Sequence, residues 1–273
     1  AVGTACAVGE VPGGLIWWRA VAAMIVALAL QVATNYANDY SDGIRGTDAD
    51  DKRVGPVRLV GQGLAKPSSV KKAALASFAV AGLVGTALAL AVGPELFVVG
   101  AAAIAAGWFY TGGPRPYGYA GLGEAFVFVF FGVVATAGST YVQTGSLSVL
   151  GLGASVPVGL LATSLLVVNN LRDIPGDTEV GKNTLAVRLG DLRTRYLYTA
   201  MMIATFACVP LVAGLSGRLF ASAALLAIFV GRRPVLAVLT GAKGPALIPV
   251  LGDTGKTQLA FGLLFTIGLS IIL

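Results

Sequence analysis

Apolar residues fill this chain in long blocks, separated by short polar stretches. The blocks fall at roughly 1–9, 15–40, 73–92, 96–110, 121–142, 149–172, 196–214, 219–231 and 257–273. A helix needs about 20 residues to cross a bilayer. The pattern therefore predicts an all-α, polytopic membrane protein with about nine transmembrane helices, or eight if the first block does not cross. The segment 232–256 is interrupted by proline and glycine. It is expected to be a loop with a re-entrant or interfacial piece. A single transmembrane domain over 1–273 accounts for every block. The opening "AVGTACAVG" has no basic region like that of a signal peptide, and it reads as the remnant of a longer first helix.

The informative polar residues stand where two blocks end. Residues 35–43 read NYANDYSDG. Asn35, Asn38, Asp39 and Asp42 are three and four apart, which puts them on one helical face. The second stretch, "NNLRDIPGDTEVGKNTLAVRL" at 169–189, repeats the order. Asparagine comes first, then spaced aspartates, then a turn with glycine and a basic residue, then "VRL", as in "GPVRL" at 55–59. Asn169, Asp173 and Asp177 are four apart, and Pro175 is expected to end that helix nearby.

Charge adds orientation. Only 12% of residues are charged, half of what is usual in soluble domains, and mean hydropathy is +0.82. Seventeen of the 19 Lys and Arg residues lie in alternate loops, leaving Arg19 and Arg218 for the other side. This predicts that those loops are cytoplasmic, with the C-terminus outside. The net charge of +6 follows that topology and does not suggest nucleic acid. With no histidine, zinc sites built on His and Ser-His or Cys-His catalysis are excluded. Cys6 and Cys208 lie in apolar runs and read as packing residues. Trp17 and Trp18 with Arg19 read as an outer interfacial belt, and Gln143 as a helix-end residue.

Nine of the 13 acids gather in two of those basic loops, 41–72 and 172–195, or the helix ends that feed them, which topology does not explain. Magnesium takes oxygen ligands, usually one or two carboxylates together with substrate phosphates. The expected metal ligands are Asn38, Asp39, Asp42, Asp173 and Asp177, with Asp48 as a further candidate; the four aspartates other than Asp48 also carry the catalytic assignment. Asn35, Arg58, Asn169, Lys182 and Arg188 are expected to bind diphosphate through charge-assisted hydrogen bonds. An apolar bundle below such a clamp suits a lipid tail. One acid-rich loop alone would be ordinary turn chemistry; two in the same order favour the clamp. A third stretch, "YTGGPRPYGYAGLGE" at 110–124, offers Tyr110, Arg115, Tyr117 and Tyr119 to an aromatic acceptor, and Glu124 enters an otherwise apolar helix. A cation-coupled transporter and a lipid-head-group phosphotransferase of the CDP-alcohol type are competing readings. A transporter places its acids near the bilayer midplane, and "DGIRGTD" lacks the Ala-Arg of the phosphotransferase motif.

These residues resemble the UbiA superfamily of intramembrane prenyltransferases. The family signature NDxxDxxxD is matched at Asn38, Asp39 and Asp42; its last position falls on Gly46, with Asp48 the nearest acid. The second signature, DxxxD, is matched at Asp173 and Asp177. "NDYSDGIRGTD", "GPVRL", "YTGGPRPYGYAGLGE" and "NNLRDIPGDTEVGKNTLAVRLG" are similar to the branch that prenylates 1,4-dihydroxy-2-naphthoate in menaquinone synthesis. The resemblance implies nine helices around a central cavity with cytoplasmic caps, Mg2+, a polyprenyl diphosphate, and an aromatic acceptor that loses its carboxylate. It also implies a bacterial plasma membrane. Another aromatic acceptor is the alternative within this class.

Overall fold

The computed structural model describes residues 1–46 and 57–272. Asp48, the candidate fourth ligand, lies outside the described residues. Among these residues every regular element is helical. In chain order they are α1 (Val2–Cys6), α2 (Trp17–Arg45), α3 (Pro67–Val92) and α4 (Glu95–Phe109), then a 3-10 turn at Tyr117–Ala120. Next, α5 (Gly123–Val127) runs through a π-helical segment (Phe128–Val134) into α6 (Ala135–Thr144). Then come α7 (Val149–Glu179), α8 (Leu185–Ser216), a 3-10 stretch (Leu219–Ala227) that leads into α9 (Ile228–Leu239), and α10 (Leu247–Ser270). Six helices among the described residues are long and apolar enough to cross a membrane, so this is a multi-pass membrane protein. The block at 96–110 forms the 15-residue α4, and the block at 1–9 holds only the five-residue α1.

Several expected loops are helical. Pro175 does not end α7, which continues to Glu179. The chain is helical again from Leu185, eleven residues before the expected start, with a break at Gly190 (φ 73°) inside α8. The segment 232–256 also departs from expectation, because α9 carries Pro234 within it and α10 begins at Leu247. Hydropathy marks only the part of a helix that meets lipid. Backbone hydrogen bonds continue past it into water.

The chain divides into two compact units. One comprises Ala1–Ala20, Glu124–Ile174 and Leu189–Leu273; the other comprises Val21–Gly123 and Pro175–Arg188. The core of the first gathers Leu161, Val168, Tyr198, Met202, Phe261 and Phe265 from α7, α8 and α10. Gly132, in the π-helical segment, lies against α7: a Cβ there would fall 2.5 Å from Cα of Gly159. Small residues allow such close approach in lipid. Gln143 is buried in this unit; it accepts from Ile16 N at 2.8 Å and donates to Ile16 O at 3.2 Å, clasping the start of α2. The core of the second unit is small, with Ala33 and Ala37 of α2 against Ala74 and Phe78 of α3 and Ile104 and Trp108 of α4. On α2 the buried apolar positions are all alanine (Ala22, Ala29, Ala33, Ala37), while Val21, Met24, Ile25, Leu28 and Val32 are exposed. Large residues outside and small ones inside is the pattern a lipid-facing helix needs, since lipid is as apolar as leucine.

Candidate active site

The polar end of α2 stays helical through NYANDYSDG to Arg45, so the expected ligand row does share a helix. Asp39 and Asp42 are buried, at 6% and 3% exposure, within the second unit; Asn35 is exposed. Asn38 Oδ1 accepts from the Thr111 hydroxyl at 2.9 Å. Asp42 accepts from the Tyr119 hydroxyl at 2.6 Å and from Lys182 Nζ at 3.2 Å. Asp39 behaves differently: its two oxygens accept backbone N–H groups of Leu59 and Val60, each at 2.9 Å.

Lys182 is the hub of this cluster. Its ammonium stands 4.8 Å from the centre of the Tyr119 ring, and Arg45 lies over the same ring at 5.5 Å. Arg45 also donates to the carbonyls of Thr111 and Gly113, fixing the 110–120 loop to α2. Burial opposes the charge on Lys182, but Asp42, Tyr119 and Asp177 together outweigh it and hold the ammonium above the usual lysine range. Acids of both sequence rows therefore act on one lysine. The turn at 177–184 closes through Lys182 N to Asp177 O at 2.8 Å, and Asn183 N donates to Tyr119 O at 3.1 Å. Arg58 is half-buried; Arg188 is exposed, with its Nε on the Asn183 carbonyl at 3.1 Å.

In the first unit, α7 builds a second cluster. Arg172 grips Asp173 with both arms, Nε and a terminal nitrogen each at 2.7 Å, and it also donates to Asn169 Oδ1 at 3.0 Å. Asn169 in turn donates to Asp173 at 3.2 Å. The Arg172 side chain is 2% exposed and that of Asp173 25%, so this is a charge-assisted pair buried on its arginine side. Next to it in sequence, Asn170 donates to Glu124 at 3.0 Å, and both are buried. Asp177 follows Asp173 by one helical turn on α7.

The tyrosines separate. The Tyr117 hydroxyl is spent on the Ala106 carbonyl at 2.8 Å, its burial holds its pKa above the usual tyrosine range, and its ring packs edge-on against Tyr110. Arg115 is exposed. Arg172, Arg45 and Thr111 were missed as site residues in the sequence. Arg172 had one readable signal, its place three residues after Asn169 and beside Asp173.

The residues suit a hard divalent cation. Among the described residues no three acids, cysteines or histidines converge as a ready-made cage. Magnesium does not require one: Asn38 and Asp42 are oxygen-bearing side chains one helical turn apart.

The UbiA prenyltransferase family model matches residues 1–252. The chain belongs to this family. Among relatives, the 1,4-dihydroxy-2-naphthoate octaprenyltransferase of Mycobacterium tuberculosis is 51% identical over 259 residues, covering 91% of this chain and 84% of that protein. The Escherichia coli protein of the same name is 37% identical over 273 residues, covering 93% and 87%. Among solved structures, a UbiA homolog from Archaeoglobus fulgidus bound to DMAPP and Mg2+ shares the fold with a TM-score of 0.59 at 16% identity, covering 99% of this chain and 94% of that one.

Proposed function

We propose that this chain transfers a polyprenyl group from polyprenyl diphosphate to 1,4-dihydroxy-2-naphthoate with loss of CO2, forming demethylmenaquinol for menaquinone synthesis. The acceptor and the reaction follow the names of the 51% and 37% identical relatives. The observation that carries the chemistry is the convergence of Asp42, Tyr119 and Asp177 on Lys182. Carboxylates, an ammonium and a phenol in one desolvated cluster suit a metal-bound diphosphate and would serve poorly as a bilayer-midplane ion site.

In this reading Asn38 and Asp42 hold Mg2+, and Asp173 and Asp177 extend the ligand row along α7. Bound magnesium would supply charge neutralisation to the diphosphate as the allylic C–O bond breaks. Lys182, Arg58 and Arg188 take up the phosphate oxygens, and Lys182 stays protonated because its acid neighbours keep it so. Tyr119 orients the carboxylate of Asp42. The electron-rich ring forms the new C–C bond, and its carboxylate leaves as carbon dioxide. Glu124, held by Asn170, is proposed to take the phenolic proton as the ring attacks and to return it once CO2 has left, restoring the quinol. About nine spans would surround the cavity, in a bacterial plasma membrane, with the acid rows at its cytoplasmic side. Purified protein given polyprenyl diphosphate and dihydroxynaphthoate should yield a product of demethylmenaquinol mass with magnesium and none after EDTA treatment. Prenylation of a different aromatic acid, with none of dihydroxynaphthoate, would replace the acceptor; no prenylated product at all would overturn this reading.

A further inference from the structure

The sequence groups Asp39 with the metal ligands, yet its surroundings separate it from them. Both carboxylate oxygens are turned to backbone, one to Leu59 N and one to Val60 N, and the side chain is buried. A carboxylate receiving two N–H groups in this way is a fixed anchor. One helical turn further, Gly43 makes the same contact sterically: a Cβ at Gly43 would overlap the Val60 side chain. The segment that hangs here is closed on itself. Gln62 N donates to Arg58 O at 3.2 Å, Gly63 N to Val60 O at 3.0 Å, and Ala65 N to Leu59 O at 2.9 Å. Asp39 and Gly43 thus form one seat on α2, and the compact 57–65 loop sits in it with Arg58 immediately before the first anchored amide, Leu59 N.

We infer that Asp39 is a positioning residue: it staples the 57–65 loop to α2 so that Arg58 is held for the diphosphate, and it is not a primary metal ligand. The division of labour runs along one helix, with Asn38 and Asp42 for the metal and Asp39 and Gly43 for the loop. This rests on the diphosphate reading above for Arg58, but the staple itself does not.

Two variants test it by different routes. Asp39→Asn leaves one acceptor and turns an NH2 donor toward the second backbone N–H. Gly43→Ala displaces Val60 without touching any carboxylate. Three quantities are measured on purified, membrane-reconstituted protein: Mn2+ affinity by electron paramagnetic resonance without substrate, hydrogen exchange at the Leu59 and Val60 amides, and KM for polyprenyl diphosphate. In both variants exchange should rise by about tenfold or more and KM should rise, while Mn2+ affinity stays within about twofold of the parent. Any loss of Mn2+ affinity in Asp39→Asn beyond that, or unchanged exchange in either variant, overturns the inference. If the parent protein makes no prenylated product, the diphosphate reading fails; exchange and Mn2+ affinity still decide the staple.

Discussion

Two tyrosines two residues apart divide the work of the 110–124 loop. Tyr119 gives its hydroxyl to Asp42 and its ring to two cations, whereas Tyr117 gives its hydroxyl to the Ala106 carbonyl. A hydrogen bond to a charged group contributes roughly 1.5–3 kcal/mol. Tyr119→Phe should therefore lower kcat/KM for prenyl transfer by about tenfold or more, while Tyr117→Phe stays within about threefold. Steady-state kinetics on the two purified variants checks this, and equal losses would contradict the division. The sequence named both tyrosines and could not rank them, because the deciding partner of Tyr117 is a backbone carbonyl, which no side chain marks. The same holds for Asp39, whose partners are amides 20 residues on. Asp42 and Lys182 stood out in the sequence because both are charged side chains in an otherwise apolar chain, and the structure pairs them at 3.2 Å. Arg172 was counted toward topology, and only the folded helix reveals its grip on Asp173.

At the scale of elements, apolar blocks located the helices but not their ends. The block at 15–40 became Trp17–Arg45, and the one at 149–172 became Val149–Glu179. The extensions are what carry Asp42 and Asp177. Pro175 misled because proline forbids its own N–H bond, yet a helix with other support tolerates that loss. Glycine permits close helix packing in lipid, but the sequence does not say where helices cross. The crossing at Gly132 and Gly159 supplies the place. Gly132→Val should lower the thermal unfolding midpoint in detergent, with an overpacking penalty of about 1–3 kcal/mol. Valine at Gly138, where a Cβ has open space, is the control and should leave the midpoint nearly unchanged.

For the whole molecule, the membrane class was plain from hydropathy; the acid rows stood out by their spacing, and their role is the proposal above; sidedness rests on the lysine and arginine count. It predicts that the 57–65 and 180–184 segments face the cytoplasm and Ser146 faces out. In a Cys208→Ser background, a membrane-impermeant thiol reagent on intact cells should label Ser146→Cys and spare Gln62→Cys and Val180→Cys until the cells are permeabilised. The opposite pattern would invert the topology. The alanine seam of α2 has a wider consequence. Ala33 and Ala37 have no exposure at all, whereas Leu28 and Met24 are 64% exposed. Natural drift along this helix should then obey two separate filters. Outward positions can wander freely among leucine, isoleucine, valine, methionine and phenylalanine, since lipid judges only oiliness. Inward positions are judged by girth alone, so glycine and serine would pass there and leucine would not.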